Sequence, residues 1–255
     1  MSYPPRAALD CGDVHVRYRL TERLDDRALT SALALLSPDE RARYDRFRVE
    51  RDRHEFAVAH ALLRATLSEF GDVAPLDWRF ETGVHGKPAL AAGVSALPLS
   101  FNLSHARGLV ACVVTGGRTP GFARARADVG LDVELVTRTT DWRGIASRYF
   151  SAAERAQIDR APDAERATRF FELWTLKEAF AKALGVGLSQ ALDAARFEIA
   201  DGAVTDCTLP PGIDAAAWQF ALFAPEPQHR LAVAVSDGSA RRWRIDVRAA
   251  VQTEQ

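Results

Sequence analysis

An internal repeat constrains the fold of this 255-residue chain more than any other feature of its sequence. The segment SPDERARYDR, which begins at Ser37, recurs 114 residues later as SAAERAQIDR, which begins at Ser151. The same interval carries Gly71 to Gly185, and each glycine ends a helical segment of the same length. Recurrence at a fixed interval is the signature of a duplicated structural unit. The sequence therefore predicts two related lobes of about 115–120 residues each, a usual size for small domains.

Each half of the chain combines the patterns of a long helix and of strands. Each opens on a glycine followed by alternating residues, at 12–16 and at 130–134, and each ends in a predicted long apolar strand, at 101–114 and at 220–235. Strict alternation predicts strands, whereas apolar spacings of three and four predict helices. The sequence therefore predicts an α+β fold of two similar lobes, each a long helix packed on a small antiparallel sheet.

The boundary between the lobes follows from residues that interrupt regular structure. Residues 115–127 contain two adjacent glycines, a Pro-Gly pair and several arginines, a composition that predicts a linker. We place the N-terminal lobe at residues 1–120 and the C-terminal lobe at residues 128–250. We expect the lobes to be related by a pseudo-twofold axis, with the ligand cleft at their boundary, where such clefts are common.

Three carboxylates are the clearest functional signal. Asp132 and Glu134 alternate with apolar residues, so that both acids share one face of a predicted strand. Glu178 lies on a predicted helix, and Lys182 follows one turn later on the same face. Like charges on one face repel unless a cation lies between them, and Mg²⁺ binds a few carboxylates together with water and phosphate. The acids predict a magnesium site; the alternative is a solvated acid pair and an ordinary Glu–Lys helix pair.

The acids occur once although the lobes are repeated. In the first lobe Arg64 occupies the position of Glu178, and His15 lies near the position of Glu134. We therefore expect the first lobe to supply cations and other phosphate ligands. Three of its motifs fit, although each also has an ordinary structural interpretation: an arginine-rich segment, a Gly-Lys-Pro turn and a polar strand end. They contain Arg46, Arg51, Gly86, Lys87, Asn102, Ser104 and His105.

Composition and length argue against several other classes. The formal net charge of −1 disfavours a nucleic-acid binder held by bulk charge. No segment has the length and apolarity of a signal peptide or a membrane span. Cys11, Cys112 and Cys207 are odd in number and fit no zinc or disulfide pattern. We expect a cytoplasmic monomer that binds neither nucleic acid nor membranes, with Cys112 as a small core residue.

Together and in this order, the motifs resemble those of the Sfp-type 4′-phosphopantetheinyl transferases. The resemblance extends from about Ser37 to Val235, and it implies two similar lobes around one cleft. It also implies an enzyme that uses Mg²⁺ and coenzyme A to modify a serine of an apo acyl or peptidyl carrier protein, releasing adenosine 3′,5′-bisphosphate. The matching stretches are Gly86-Lys87-Pro88, Asn102-Leu103-Ser104-His105, Gly130-Leu131-Asp132-Val133-Glu134 and Trp174-Thr175-Leu176-Lys177-Glu178-Ala179, followed by Lys182 and Gly185.

The resemblance also implies roles for individual residues. Lys182 would contact the pyrophosphate, and Glu178 is the candidate proton acceptor. The sequence departs from the family at Glu40, where some relatives carry a lysine. The implied metal ligands are Asp132, Glu134 and Glu178. The implied coenzyme A contacts are Arg43, Arg46, Arg51, Gly86, Lys87, Asn102, Ser104 and His105.

Two alternative functions remain to be weighed. The first is a coenzyme A-binding regulatory or scaffold protein of the same fold that has lost catalysis, but Lys182 and all three acids are intact. The second is another Mg²⁺-dependent phosphoryl or nucleotidyl transferase, which would carry a glycine-rich phosphate loop that the sequence lacks.

Overall fold

The structure, a computed structural model, describes residues 12–22, 24–71, 73–83, 86–116, 127–185 and 195–250. It divides into two compact units. The first comprises Met1–Gly83, Pro88–Ala127 and Trp243–Gln255, and the second comprises Val84–Lys87 and Asp128–Arg242. The helices and strands are β1 (Asp13–Leu20), α1 (Asp26–Ala34), α2 (Pro38–Tyr44), α3 (Glu50–Phe70), β2 (Phe80–Thr82), β3 (Pro88–Leu90), β4 (Leu99–Ala106), β5 (Leu109–Gly116), β6 (Asp128–Leu135), α4 (Trp142–Tyr149), α5 (Ala152–Arg160), α6 (Arg166–Leu184), β7 (Arg196–Ala200), β8 (Ala203–Thr208), β9 (Gln219–Phe223), β10 (His229–Ser236) and β11 (Arg244–Ala249).

The duplication is visible in the order of the elements. One strand, three helices and four strands follow each other from β1 to β5, and the same order recurs from β6 to β10. The sheets repeat as well, because β5 lies between β1 and β4, just as β10 lies between β6 and β9. These pairs are all antiparallel, and a long helix, α3 or α6, packs on each sheet. The predicted α+β fold with two similar lobes is confirmed.

The motif that reveals the repeat is a helix start. The hydroxyl of Ser37 accepts a hydrogen bond from the backbone N–H of Glu40, whose carboxylate accepts one from Ser37 N. Ser151 and Glu154 form the same reciprocal pair at the start of α5. This capping box satisfies two N–H groups that have no partner within the helix. The repeated Ser and Glu therefore have the same role in both units, which is to cap the start of a helix.

The C-terminal strand differs from the predicted domain boundary. The sequence pattern ends the C-terminal lobe at residue 250, but β11 pairs in parallel with β1 and belongs to the first unit. Asp246 on β11 accepts a hydrogen bond from Arg17 on β1 at 3.1 Å, across 229 residues of sequence. The first sheet is therefore four-stranded and mixed, in the order β11-β1-β5-β4. Local patterning carries no information about a pairing so distant in sequence.

The predicted linker at 115–127 lies mostly outside the described residues. Thr115 and Gly116 are the last residues of β5. The single strands predicted at 101–114 and 220–235 are wrong, because each range forms two antiparallel strands, β4 with β5 and β9 with β10, joined at turns that the apolar pattern does not mark. Ala127 is buried immediately before β6.

Each unit has its own apolar core. In the first unit, α3 packs on the sheet around Phe70, Trp78 and Cys112, and burial raises the pKa of the Cys112 thiol to about 12. In the second unit, Leu173, Leu176 and Phe180 of α6 are completely buried, as the helical pattern predicts. Among the described helices, none has the length and apolarity needed to cross a lipid bilayer.

Glu40, the departure from the family pattern, anchors a buried network in the first unit. Its carboxylate contacts Arg64 Nε and His60 Nδ1 on α3, each at 2.9 Å. Arg64 also donates to the carbonyls of Pro75 and Trp78. Burial by itself would raise the pKa of Glu40, but hydrogen bonds from His60, Arg64 and Ser37 lower it to about 2. A lysine at this position would face Arg64, so the acid is required by its surroundings.

Replacement of Glu40 is expected to change the acid stability of the protein. A carboxyl group whose folded-state pKa is lowered contributes stability above its unfolded pKa, near 4.5, and this contribution disappears as the pH falls towards 2. In urea unfolding at pH 7, the free energy of unfolding of Glu40→Gln should therefore be about 1–3 kcal/mol below that of wild type. Between pH 5 and 3, Glu40→Gln should lose less stability than wild type loses. Asp39→Asn, an exposed acid in the same turn, is the control. Parallel pH profiles for wild type and Glu40→Gln would contradict this account.

Candidate active site

The predicted acids lie on the strand and the helix that form the centre of the second unit. β6 carries Asp132 and Glu134, and α6, which packs on β6, carries Glu178 and Lys182. Asp132 and Glu178 are buried, with 5% and 8% of their surface exposed, although burial of a carboxylate costs free energy. The structure therefore brings all four predicted residues together within one unit.

Gly130 allows the strand and the helix to approach this closely. A Cβ atom at position 130 would lie 1.9 Å from the carbonyl oxygen of Ala179 and 2.5 Å from the backbone nitrogen of Ala183. Both atoms belong to the backbone of α6, so no side-chain rotation could relieve the overlap. The backbone of β6 thus touches α6 directly, and the acids two and four residues later face the helix that carries Glu178.

Burial and mutual repulsion perturb two of the acids. Burial and the negative charge of Asp132 raise the pKa of Glu134 to about 7. The same two causes raise the pKa of Glu178 to about 7, and Glu134 adds to the effect. At neutral pH these side chains are therefore only partly ionised, whereas ordinary glutamates have lost their protons. A site of this kind favours the approach of positive charge.

Two basic side chains already contact the acids. Lys182 Nζ donates to Asp132 Oδ1 at 2.7 Å, and a guanidinium nitrogen of Arg138 donates to both carboxylate oxygens of Glu134, at 3.0 and 2.9 Å. Sequence reasoning misses Arg138, whose only signal is its position four residues after Glu134. It also assigns no role to Trp174, whose side-chain hydrogen bond lowers the pKa of Glu134.

The side chains around Asp132 differ from a preformed metal site in arrangement but match one in chemistry. Within the described part of the chain, no three His, Cys, Asp or Glu side chains are grouped so that they could hold a metal ion. Lys182 and Arg138 instead hold two of the acids. All of the available donors are carboxylate oxygens, which fit a hard cation such as Mg²⁺ and not a metal that prefers nitrogen or sulfur ligands. By chemistry, the residues fit the predicted ion.

Gly86 and Lys87 belong to the second unit, whereas Gly83 and Pro88 belong to the first. Lys87 Nζ donates to two backbone carbonyls, that of Val129 on β6 at 3.1 Å and that of Ala183 on α6 at 2.9 Å. Burial lowers the pKa of Lys87. The predicted phosphate contact is thus an ammonium group engaged by the two elements that carry the acids.

Two other predicted coenzyme A residues line one pocket of the first unit. Arg43 and Asn102 both face a pocket of about 830 Å³, and the Arg43 guanidinium lies 5.2 Å from the centre of the Phe56 ring. The ring of His60 lies 4.2 Å from that of Phe56, so Phe56 is flanked by a guanidinium group and an imidazole ring along this wall. The pocket offers a charge, an amide and flat apolar surfaces.

The remaining predicted residues of the first unit lie elsewhere on it. Ser104 is buried within β4 and the neighbouring His105 is exposed. Arg46 is exposed before α3. Arg51 is also exposed, pairs with Asp52 at 2.9 Å and lines a smaller pocket of about 250 Å³.

The face of β1 that lies against the long helix of the first unit carries basic residues. His15, Arg17 and Arg19 alternate along the strand and therefore share one face. Arg17 contacts Glu69 on α3 at 2.7 Å, so this face is turned towards the helix, as the acid face of β6 is turned towards α6.

The sequence repeat places His15 near the position of Glu134, and the structure places His15 on this same face of β1, stacked on Phe70 at the end of α3. Arg64 occupies the position of Glu178 in the repeat. Basic side chains therefore stand in the first unit where the second unit has its acids.

Comparisons with known proteins give a consistent result. Residues 128–235 match the 4′-phosphopantetheinyl transferase superfamily, and residues 25–116 match the family described as 4′-phosphopantetheinyl transferase, N-terminal. The chain is 32% identical over 234 residues to 4′-phosphopantetheinyl transferase HetI of Nostoc sp. (strain PCC 7120), across 91% of this chain and 92% of HetI. It is 29% identical over 162 residues to 4′-phosphopantetheinyl transferase Sfp of Bacillus subtilis (strain 168), across 64% and 66%.

A similarity to a solved structure covers less of the chain. The holo-[acyl-carrier-protein] synthase (AcpS) of Thermotoga maritima matches with a TM-score of 0.36 and 23% identity, over 46% of this chain and 64% of that chain. From the near-complete match to HetI, the chain belongs to the 4′-phosphopantetheinyl transferase family, as its motifs indicate. It is an enzyme of this class.

The raised pKa values predict how the metal-free site affects stability. A carboxyl group whose folded-state pKa is raised favours folding below its unfolded pKa, near 4.5, and this advantage is lost as the pH rises through about 7. In the presence of a chelator, Glu178→Gln should therefore become more stable than wild type as the pH is raised from 5 to 8. Thermal unfolding across this range measures the effect, with Glu198→Gln, an exposed acid on β7, as the control. A difference that does not grow with pH would contradict the assigned electrostatics.

Proposed function

We propose that the enzyme transfers the 4′-phosphopantetheine group of coenzyme A to a serine of an apo acyl or peptidyl carrier protein, with Mg²⁺ held by Asp132, Glu134 and Glu178. The observation that carries the proposal is the meeting of these three acids on β6 and α6 in a chain of this family. The raised pKa values of Glu134 and Glu178 support it, since they indicate a site short of positive charge. When bound, Mg²⁺ would neutralise charge on the pyrophosphate of coenzyme A.

The reaction exchanges one phosphorus–oxygen bond for another. The serine oxygen forms a bond to the phosphorus next to pantetheine, the bond from that phosphorus to the bridging oxygen breaks, and adenosine 3′,5′-bisphosphate leaves. Such transfers depend on alignment and charge neutralisation more than on covalent catalysis. The protein must therefore position the two substrates and provide for one proton and for the charge on the leaving group.

Glu178 is the proposed acceptor of the serine proton. It presents two oxygen atoms, so that one can face a cation while the other accepts a proton. Lys182 is the proposed partner of the leaving diphosphate. Its side chain is 30% exposed and contacts Asp132, so it can reach a ligand without leaving the acids.

The first unit is proposed to hold the nucleotide part of coenzyme A. The pocket that Arg43 and Asn102 line combines a cation for a phosphate with the Phe56 and Phe80 rings, on which a purine base could stack. A catalytically lapsed binding protein has no support, since Lys182 and the acids are present and adjacent. The proposed coenzyme A contacts are Arg43, Arg46, Arg51, Gly86, Asn102, Ser104 and His105. Lys87 contacts two backbone carbonyls of the second unit instead.

The cellular setting is proposed on sequence grounds. The buried thiol of Cys112 and the half-exposed thiol of Cys207 are free, which suits a reducing cytoplasm. We propose that the enzyme acts there as a monomer, on carrier proteins, without nucleic acid or membrane as a partner.

Mass spectrometry of the carrier protein tests the proposal directly. Several purified apo carriers are incubated with coenzyme A, Mg²⁺ and the enzyme, and a gain of one phosphopantetheine on a serine is expected on at least one of them. Asp132→Asn should reduce the rate by about a hundredfold or more, because it removes a metal ligand and the partner of Lys182. Glu198→Gln provides the matched control for loss of an acid far from the site. Undiminished transfer by Asp132→Asn at limiting Mg²⁺, or by wild type in excess chelator, would refute the metal assignment.

A further inference from the structure

Lys87 makes contacts that a phosphate ligand would not need. Its ammonium group bonds the carbonyl oxygens of Val129 and Ala183, which belong to different elements of the second unit. Val129 lies three residues before Asp132 on β6, and Ala183 directly follows Lys182 on α6. One side chain therefore links the backbones that carry both members of the Asp132–Lys182 ion pair.

The position on α6 is one where a cation stabilises a helix. The last four carbonyl groups of a helix have no partner within it, and the helix dipole makes that end negative. α6 ends at Leu184, and Gly185 follows in the left-handed conformation, with a φ of 67°. Lys87 supplies a donor to one of these carbonyls from a distant part of the chain. Its own stem lies beside the helix end, because a Cβ atom on Gly185 would be 3.4 Å from Lys87 Cδ.

The choice of lysine at this position is informative. The chain contains three lysines and 30 arginines, so arginine is its ordinary surface cation. The other two lysines also make specific ion pairs: Lys177 is completely buried against Glu154, and the partly exposed Lys182 contacts Asp132. An ammonium group is compact and has three donors that rotate freely, whereas a guanidinium group is a wide planar fork. Two carbonyls on separate elements suit the ammonium group, while a phosphate would be bound equally well by arginine.

We propose that Lys87 is a positioning residue that fastens the C-terminal turn of α6 to β6 and thereby sets the spacing of Lys182 from Asp132. Gly130 brings the two backbones into contact, and Lys87 holds the end of the helix in register with the strand. Loss of this link lets the last turn of α6 separate from β6, which misplaces Lys182. The effect on turnover rests on the proposed function, whereas the effect on the helix end does not.

The test uses the full chain with Lys87→Met, which keeps the apolar stem and removes the ammonium group. Hydrogen exchange of the amides in the last turn of α6 should become about ten- to a hundredfold faster, as expected for the loss of charge-assisted hydrogen bonds. In the transfer assay, kcat should fall about tenfold or more while KM for coenzyme A changes less than twofold, because alignment is lost and binding is kept. The kcat penalty should be the same with 3′-dephospho-coenzyme A as donor. Arg160→Met, an exposed charge on α5, controls for loss of a cation and should leave exchange and kcat unchanged.

Lys87→Arg separates positioning from phosphate binding and remains available if Lys87→Met fails to fold. A positioning role predicts that arginine does not restore kcat or amide protection, because the site is confined beside Gly185. Restoration by arginine, together with a raised KM that disappears with 3′-dephospho-coenzyme A, would overturn the proposal in favour of a phosphate contact. Unchanged exchange in both variants would also overturn it. If wild type transfers nothing to any carrier, the proposed function fails, and amide exchange still decides the role of Lys87.

Discussion

The direct contact between the backbones of β6 and α6 is the constraint on which the candidate site depends. Without a side chain at Gly130, the strand and the helix approach so closely that a Cβ atom would lie 1.9 Å from Ala179 O. This approach brings acids from one strand and one helix close enough to repel each other. Burial and this repulsion raise the pKa of Glu134 and of Glu178 to about 7. The perturbed acids are thus a consequence of backbone packing. Lys182 and Arg138 offset part of the repulsion, and the proposed Mg²⁺ would offset the rest.

The two units have one topology and opposite charges at equivalent positions. The strand–helix arrangement that carries the acids in the second unit carries Arg17, Arg19 and Arg64 in the first. Arg17 pairs with Glu69 at 2.7 Å, and Arg64 donates hydrogen bonds to Glu40 and to two backbone carbonyls. These arginines therefore stabilise their own unit. A duplicated scaffold has therefore diverged by charge reversal at the site while keeping the capping boxes and sheet order that specify the fold. The first unit cannot bind a second cation through the same positions.

Much of this arrangement was accessible from the sequence, because the signals are local. Helix caps, strand alternation and the one-turn spacing of Glu178 and Lys182 are properties of a few neighbouring residues. What sequence reasoning missed depends on long-range geometry. The pairing of β11 with β1 joins residues more than two hundred positions apart, and the contacts of Lys87 depend on where a helix end meets a strand. A Gly-Lys-Pro turn has the same sequence whether its lysine faces a phosphate or two carbonyls.

The central claim is that each chain holds one cation through acids that only the second unit retains. Electron paramagnetic resonance of Mn²⁺, used in place of Mg²⁺, counts the bound ions directly in the purified full chain. The account predicts one ion per chain for wild type and strongly weakened binding for both Asp132→Asn and Glu178→Gln, with Glu198→Gln unchanged. Two ions per chain, or one ion bound with wild-type affinity by Asp132→Asn, would contradict it.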